Sequence, residues 1–575
     1  MHPAINPPGE KAKRSQPLTE YPRPQMVRDS YLNLNGLWEY AVTTKEGMPS
    51  SWHGEIMVPF APESQLSGMG RILQPNETLW YRRTVVFPLT FIKERTYLHF
   101  GAVDQCCVVF WNGIEVGRHD GGYLPFSCDV TEAAFFPGTN ELLVSVIDET
   151  DQAPYMRGRQ SLLPREGWRS PMSGLWQTVW MESVPQSHLT SLKITPHYDE
   201  PAVELSLSCE GDAESGEISL FALATCVAKR RFTPGETLHI QMPGAISWHP
   251  RNPFLYDVEI QYGEDLVKSY FGMRKFSLAP NEKGKTVFHL NNRPFFVRGL
   301  LDEGFYSSSL YTPPGEQAIL DDLNYAKSSG FNMVRKFGKI EPLRWYHHCD
   351  RLGLLVWQDL PGGGEDAREG PLSKWRGGKM KDDAYRRFGR QNAEGRVTFL
   401  RDADRICDHL HSAPCLCCYT LFEEGYGQFD AAALSSHFKQ RDPSRLVDHA
   451  SGRYDQGAGD FLSLHLFGET LPPDVQMDAR ALALSGCGGF SLPVKGPFLP
   501  SLSLLPAEGV SLEDALHNLW QNVLLPLQKQ GLSVFCYYRL SDADGETSGL
   551  LTSDRLVQKI SADYLQKCNA LLEEW

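Results

Sequence analysis

Residues 415–422 read as a strand of Cys, Leu, Tyr, Thr and Phe that runs directly into Glu423-Glu424-Gly425-Tyr426-Gly427. Ionisable groups at the carboxyl end of a buried strand are costly unless they are paired or used, so the two adjacent carboxylates mark a candidate site. One carboxyl group placed this way suits general acid/base work of the kind that breaks a glycosidic bond. That chemistry needs a second carboxylate across the substrate. Asp302-Glu303 and Asp359 also close predicted strands of the C-terminal half. Each of these reads first as a structural hydrogen-bonding group and second as the missing partner.

The elements that must position these residues form a repeating strand–loop–helix pattern after residue 285. Strands are expected at 294–299, 331–335, 354–358, 415–422, 445–449, 461–466, 482–484 and 532–538. Helices are expected at 316–329, 343–352, 399–411, 512–530 and 555–574. About eight strands alternating with helices predict a closed (β/α)8 TIM barrel. The competing doubly wound fold lacks support, because no Gly-rich phosphate turn follows the first strand. Ahead of the barrel, residues 31–184 show short alternating strands and a hairpin signal at Asn112-Gly113, predicting a jelly-roll β-sandwich. Residues 185–280 have the size and pattern of an immunoglobulin-like β-sandwich. The chain is therefore expected to be a multidomain β plus α/β protein, divided at 1–184, 185–280 and 281–575.

Bulk properties narrow the function. A chain of 575 residues is too long for one core. Its net charge of −14 and the lack of a basic stripe argue against nucleic-acid binding. The charge run at 376–387 reads as a solvated loop and helix start. Residues 1–15 carry Lys11, Lys13 and Arg14 without an apolar run after them, unlike a signal peptide. No window approaches the roughly 18 apolar residues of a membrane span. The 13 cysteines sit mostly in apolar runs, as expected of reduced thiols in a cytoplasmic protein. Cys415 and Cys417 share a strand face but have no His/Cys partners at finger spacing, so neither metal nor cofactor is called for. Most of the aromatic residues, among them Trp176, Trp345 and Trp357, read as core.

Several segments, in order, resemble glycoside hydrolase family 2, the β-galactosidase and β-glucuronidase group. In the first domain these are Leu32-Asn33-Leu34-Asn35-Gly36-Leu37-Trp38, Trp80-Tyr81-Arg82-Arg83, Trp111-Asn112-Gly113, His119-Asp120-Gly121-Gly122-Tyr123 and Ser173-Gly174-Leu175-Trp176-Gln177. In the barrel they include Gly330-Phe331-Asn332-Met333-Val334-Arg335-Lys336, Trp357-Gln358-Asp359, Asp442-Pro443-Ser444-Arg445 and Ser541-Asp542. The resemblance implies a β-linked carbohydrate or glycoside as partner, with no nucleic acid and no membrane, and is compatible with a homo-oligomer. It also implies a retaining mechanism with two glutamates. Glu424 matches the acid/base, and Glu423 stands where the family has a sugar-binding Asn. The added like charge is expected to keep Glu424 protonated.

The resemblance breaks at the nucleophile. Aligned on Gly488-Gly489, the position that should present a Glu is Gly486, which has no side chain to form a glycosyl–enzyme bond. Cys487 is adjacent but should point away from the same strand end. Phe337 follows Arg335 where a sugar-contacting His is usual, and His465 survives while its neighbours are Leu466 and Phe467. Tyr537 survives in an altered Tyr537-Tyr538-Arg539 segment, and Ser412-Ala413-Pro414 lacks a His. The expectation is a β-galactosidase-like site that is dismantled or rebuilt. Either Glu424 works with another carboxylate (Glu423, Glu303 or Asp359), or the protein binds sugar, senses it or assembles without turnover.

Overall fold

The computed structural model describes residues 16–44, 47–151, 154–163, 167–364, 380–467, 477–494 and 510–572. The chain is a multidomain β plus α/β protein ending in a TIM barrel, as its patterning predicts. Its first part pairs two antiparallel sheets. One has six strands centred on Glu77–Val86 and Thr139–Ile147; the other has four centred on Val179–Val184 and Arg95–Phe100. Alternate residues of both sheets turn inward, so Trp38, Tyr81, Phe100, Trp111 and Met181 share one core. Next come a three-stranded sheet (His188–His197, Ala202–Glu210, Thr237–Gln241) and a four-stranded sheet built around Tyr256–Tyr262, which enclose a second core. A hairpin of Phe276–Pro280 and Thr286–Leu290 leads into the barrel, and Ser533 accepts at its hydroxyl from the Phe288 N–H.

The barrel strands are β1 Val297–Asp302, β2 Met333–Lys336, β3 Leu355–Asp359, β4 Leu416–Thr420, β5 Leu446–Asp448, β6 Phe461–Leu466, β7 Ala481–Gly488 and β8 Leu532–Tyr538. All are parallel, in the order β5-β4-β3-β2-β1-β8-β7-β6. Side chains staple the seam between β5 and β6: the Asp460 carboxylate accepts from Val447 N–H at 2.8 Å, and Ser463 Oγ donates to Asp448 at 2.8 Å. The strands are buried on both faces, which explains their near-continuous apolar runs.

Helices α1 Glu316–Ser328, α2 Leu343–Leu352, α3 Ala393–Leu410 and α4 Ala431–Arg441 surround the first five strands. The periodicity misses α4 and begins α3 too late. The start of α3 is set by Asn392, whose side chain caps Gly395 N–H at 3.2 Å, ahead of the apolar stripe. The helix expected over 512–530 is interrupted. It runs as α5 Leu512–Asn518, then a π-helical stretch Leu519–Leu524, then α6 Leu525–Gln530. Pro526 has no N–H for the preceding turn, so the helix widens before it. The expected C-terminal helix is shorter. Ser561 caps Tyr564 N–H to begin α7 Ala562–Asn569, and residues 555–560 form a loop. Residues 376–379 of the predicted charge run, residues 1–15 and residues 573–574 lie outside the described residues. No described helix is long and apolar enough to cross a membrane.

Candidate active site at the barrel mouth

The strand β4 ends at Thr420, and the next residues turn sharply across the carboxyl face. Glu424 adopts φ +48°, in the left-handed region that ordinary side chains avoid, and Gly425 and Gly427 follow at +70° and +63°. A Cβ on Gly427 would lie 2.2 Å from the Gly363 carbonyl oxygen, so only glycine closes this turn. The turn presents both glutamates to the same cation. Arg159, from the first β-domain, is paired by its Nη2 with Glu423 and, at 3.3 Å, with Glu424 Oε2. Its guanidinium also lies over the rings of Phe337 and Tyr426, at 5.6 and 5.3 Å. The segment carrying Arg159 is anchored on the barrel because the N–H groups of Arg157 and Gly158 donate to the Gly362 carbonyl.

The other strand-end carboxylates are equally engaged. Asp359 receives Arg335 Nε at 3.0 Å and Nη2 at 2.9 Å. Arg335 also donates to the Ser485 carbonyl and to Ser451 Oγ. Glu303 is held by Arg169 and Arg539, and both arginines also reach Glu546. Asp302 pairs with Lys336 at 2.5 Å. All four expected barrel residues, Asp302, Glu303, Arg335 and Asp359, are therefore present at the mouth, but buried and mutually neutralised. The cavity bounded by Arg159, Phe337, Leu360, Glu423 and Tyr426 holds about 10 Å³, the room of one water and far less than a sugar ring.

His465 and Gly486 are register partners on β6 and β7, immediately after a bulge between Leu464 and His465. Ser451 Oγ lies 3.0 Å from His465 Nε2, and His465 Nδ1 approaches Glu424 Oε1 at 3.4 Å. A Cβ on Gly486 would lie 3.1 Å from both Cδ2 and Nε2 of this ring. Cys487 is fully buried with its thiol on the Cys536 carbonyl, and burial pushes its pKa well above the ordinary thiol value. It is no nucleophile in this state. Tyr537 corrects the expectation drawn from its position. It is fully buried and stands against Trp520 in the helix layer. The period of two along β8 instead brings Tyr538 to the mouth, beside Phe467 and Arg539.

The electrostatics reverse the expected protonation of the pair. Burial raises Glu423 to about 7, and the neighbouring Glu424 charge adds to this against the pull of Arg159. Burial also opposes ionisation of Glu424, but His465 and Arg159 together outweigh it and hold that carboxyl well below its ordinary value. Burial and the neighbouring charge prevail at Glu423, where Arg159 and Arg335 only partly offset them, whereas the His465 hydrogen bond, Arg159 and Arg453 prevail at Glu424. Glu423, expected at the amide position, is thus the carboxyl that burial raises, and Glu424, expected at the acid/base position, is the one held low. Sequence reading missed Arg159, Arg169 and Glu546, since nothing in local spacing announces an arginine that acts in another domain.

Eight parallel strands behind two β-sheet domains, with a glutamate turn after the fourth strand, define a multidomain protein with a (β/α)8 barrel. Residues 68–185 match the glycosyl hydrolases family 2 sugar binding domain and residues 283–466 the family 2 TIM barrel domain, together over half the chain. The chain belongs to glycoside hydrolase family 2. It is 23% identical over 352 residues to a β-galactosidase of Thermoanaerobacter pseudethanolicus, covering 57% of this chain and 43% of that protein. It is 25% identical over 359 residues to a putative β-glucuronidase of Formosa agariphila, covering 58% and 39%. The chain thus spans about two fifths of the length of these relatives. In fold it is similar to a β-glucuronidase from an uncultured Clostridium species, with a TM-score of 0.74 at 15% identity over 95% of this chain and 99% of that one.

Proposed function

We propose that this family 2 chain is a non-hydrolysing member, whose barrel mouth is a carbohydrate-derived binding site closed by arginines of the first domain. The observation that carries the reading is the His465 ring against Gly486, in the space where a side chain would begin. A retaining mechanism needs a carboxylate nucleophile about 5–5.5 Å from the acid/base, and glycine at this place supplies none. The match to the barrel family ends at residue 466, so the assignment of Gly486 rests on the Gly488-Gly489 alignment and on its register with His465. The alternative of Glu424 directing water with a second carboxylate is disfavoured, since Glu423, Glu303 and Asp359 each have an arginine partner. We carry forward the division at 1–184, 185–280 and 281–575, with β-linked glycosides as ligand class and the cytoplasm as location.

The test is turnover of aryl β-galactosides and β-glucuronides by purified protein, with and without formate or azide, beside calorimetry with galactose and glucuronate. No turnover under any condition is expected, with saturable sugar binding that requires Arg159 to withdraw from the cavity of about 10 Å³ that it lines. Brisk unaided hydrolysis that Glu424→Gln abolishes overturns the proposal. Calorimetric silence across both sugars removes the binding half of it and leaves a scaffold.

A further inference from the structure

The geometry points to a divalent transition-metal site on the three-stranded sheet of the second β-domain, with His197, Glu204 and His239 as ligands. The alternation of these strands sets the arrangement. Ile194, Val203, Leu205, Leu238 and Ile240 face the core, so the residues one step out of phase share the opposite face. Glu204 and His239 are register partners on adjacent strands, and His197 lies diagonally across from Glu204 on the third. Each strand of the sheet thus supplies one ligand.

One ligand atom from each residue falls within 4.8 Å of the other two, and the imidazole centroids are 5.2 Å apart. His197 Nε2 is buried, lies 3.6 Å from Glu204 Oε2, and has no hydrogen-bond partner among the described residues. An orphaned buried nitrogen beside a carboxylate is costly unless something occupies the gap. Tetrahedral zinc places its ligand atoms about 3.3 Å apart, so the set must tighten to bind, and the exposed His239 is the side chain that would turn. Two imidazoles and one carboxylate select zinc-like ions over calcium or magnesium, and the outer position is open to water. The ion would join the edge strand Thr237–Gln241 to its neighbour Ala202–Glu210 and to the far strand His188–His197, which gives it a structural role.

Protein stripped with chelator and titrated with Zn²⁺ by calorimetry at pH 7.5 tests this. One equivalent is expected to bind, with at least tenfold weaker affinity in His239→Ala and in Glu204→Gln. Ser206→Ala on the same face is expected to bind as the parent does. All three side chains are outside the core, and circular dichroism of each variant establishes that it folds. Zn²⁺ is further expected to raise the melting temperature of the parent and of Ser206→Ala but of neither ligand variant. The proposal is overturned by the absence of saturable binding tighter than about 1 mM, or by affinities unchanged in both ligand variants, which would place the bound ion elsewhere.

Discussion

The imidazole of His465 occupies the ground beside Gly486: Cδ2 and Nε2 of the ring stand 3.1 Å from the point where a Cβ would sit. The strands β6 and β7 bring the two residues into register, and Ser451 holds the ring from below. The loss of a side chain at 486 and the seating of His465 are therefore one arrangement. Gly486→Glu is expected to restore no glycosidase activity on its own. Gly486→Ala should destabilise the fold by up to about 1 kcal/mol, because the 3.1 Å contacts require the His465 ring to shift by a few tenths of an ångström. Combining it with His465→Ala should recover most of that loss relative to the sum of the single effects, measured by urea denaturation. Strict additivity would show that the two side-chain volumes do not compete.

Arg159 ties the first domain to the barrel mouth through two carboxylates at once. Its side chain is 8% exposed, against 11% for Glu423 and 19% for Glu424, so this triad is far from a surface ion pair. Removing the cation leaves the Glu424 carboxylate and the partly protonated Glu423 without their shared partner. Arg159→Met is expected to cost about 3–5 kcal/mol. The triple variant with Glu423→Gln and Glu424→Gln should recover most of that loss, because the uncompensated charges go with it. A loss below about 0.5 kcal/mol in the single variant would match a solvent-screened pair and defeat this account.

The barrel was legible because parallel strands covered on both sides leave continuous apolar runs, and β6, β8 and α2 have the bounds read from sequence. Glu423 and Glu424 announced themselves through the strand before them and the glycines after. What stayed hidden is what other parts of the chain impose. Arg159 lies more than 260 positions from its partners, so no local pattern records the pairing. The protonation of the pair depends on which groups reach each carboxyl, His465 and Arg453 lying beside Glu424, whereas the adjacent charges alone suggest that Glu424 keeps the proton. Tyr537 was assigned to the mouth by position in a segment, whereas the pleat of β8 decides the face.

The reversed protonation has a sign in stability. Glu423, raised to about 7 by burial and by Glu424, binds a proton in the folded state across a pH range where the unfolded chain has released it. That contribution is complete below the ordinary glutamate pKa and is lost as pH rises through about 7. Glu424, held low by His465 and Arg159 against burial, acts oppositely: its contribution is present at neutral pH and disappears as pH falls below the ordinary glutamate range. The unfolding free energy between pH 5 and 8, measured by urea denaturation, should therefore decline in the parent and flatten in Glu423→Gln, the difference reaching on the order of 3 kcal/mol. Glu424→Gln should instead remove part of the loss below pH 5. An unchanged slope in Glu423→Gln would assign the shared proton elsewhere.

Thiol chemistry separates surface from interior without reference to the site. All 13 cysteines are free, and Cys226, on the strand Thr225–Phe232, is the exposed one. Burial raises the thiols of Cys417 and Cys536 to about 12 and that of Cys407 to a similar level, so almost none is thiolate at neutral pH. Cys106 and Cys209 are half-buried and should react more slowly than Cys226. A chromogenic disulfide reagent on native protein should therefore show one fast thiol, abolished by Cys226→Ser. Cys487 and the β4 cysteines should label only with unfolding urea. Fast labelling of Cys487 in native protein, mapped by mass spectrometry, would mean that the end of β7 opens to solvent, and that the packing of His465 against Gly486 is not the resting arrangement.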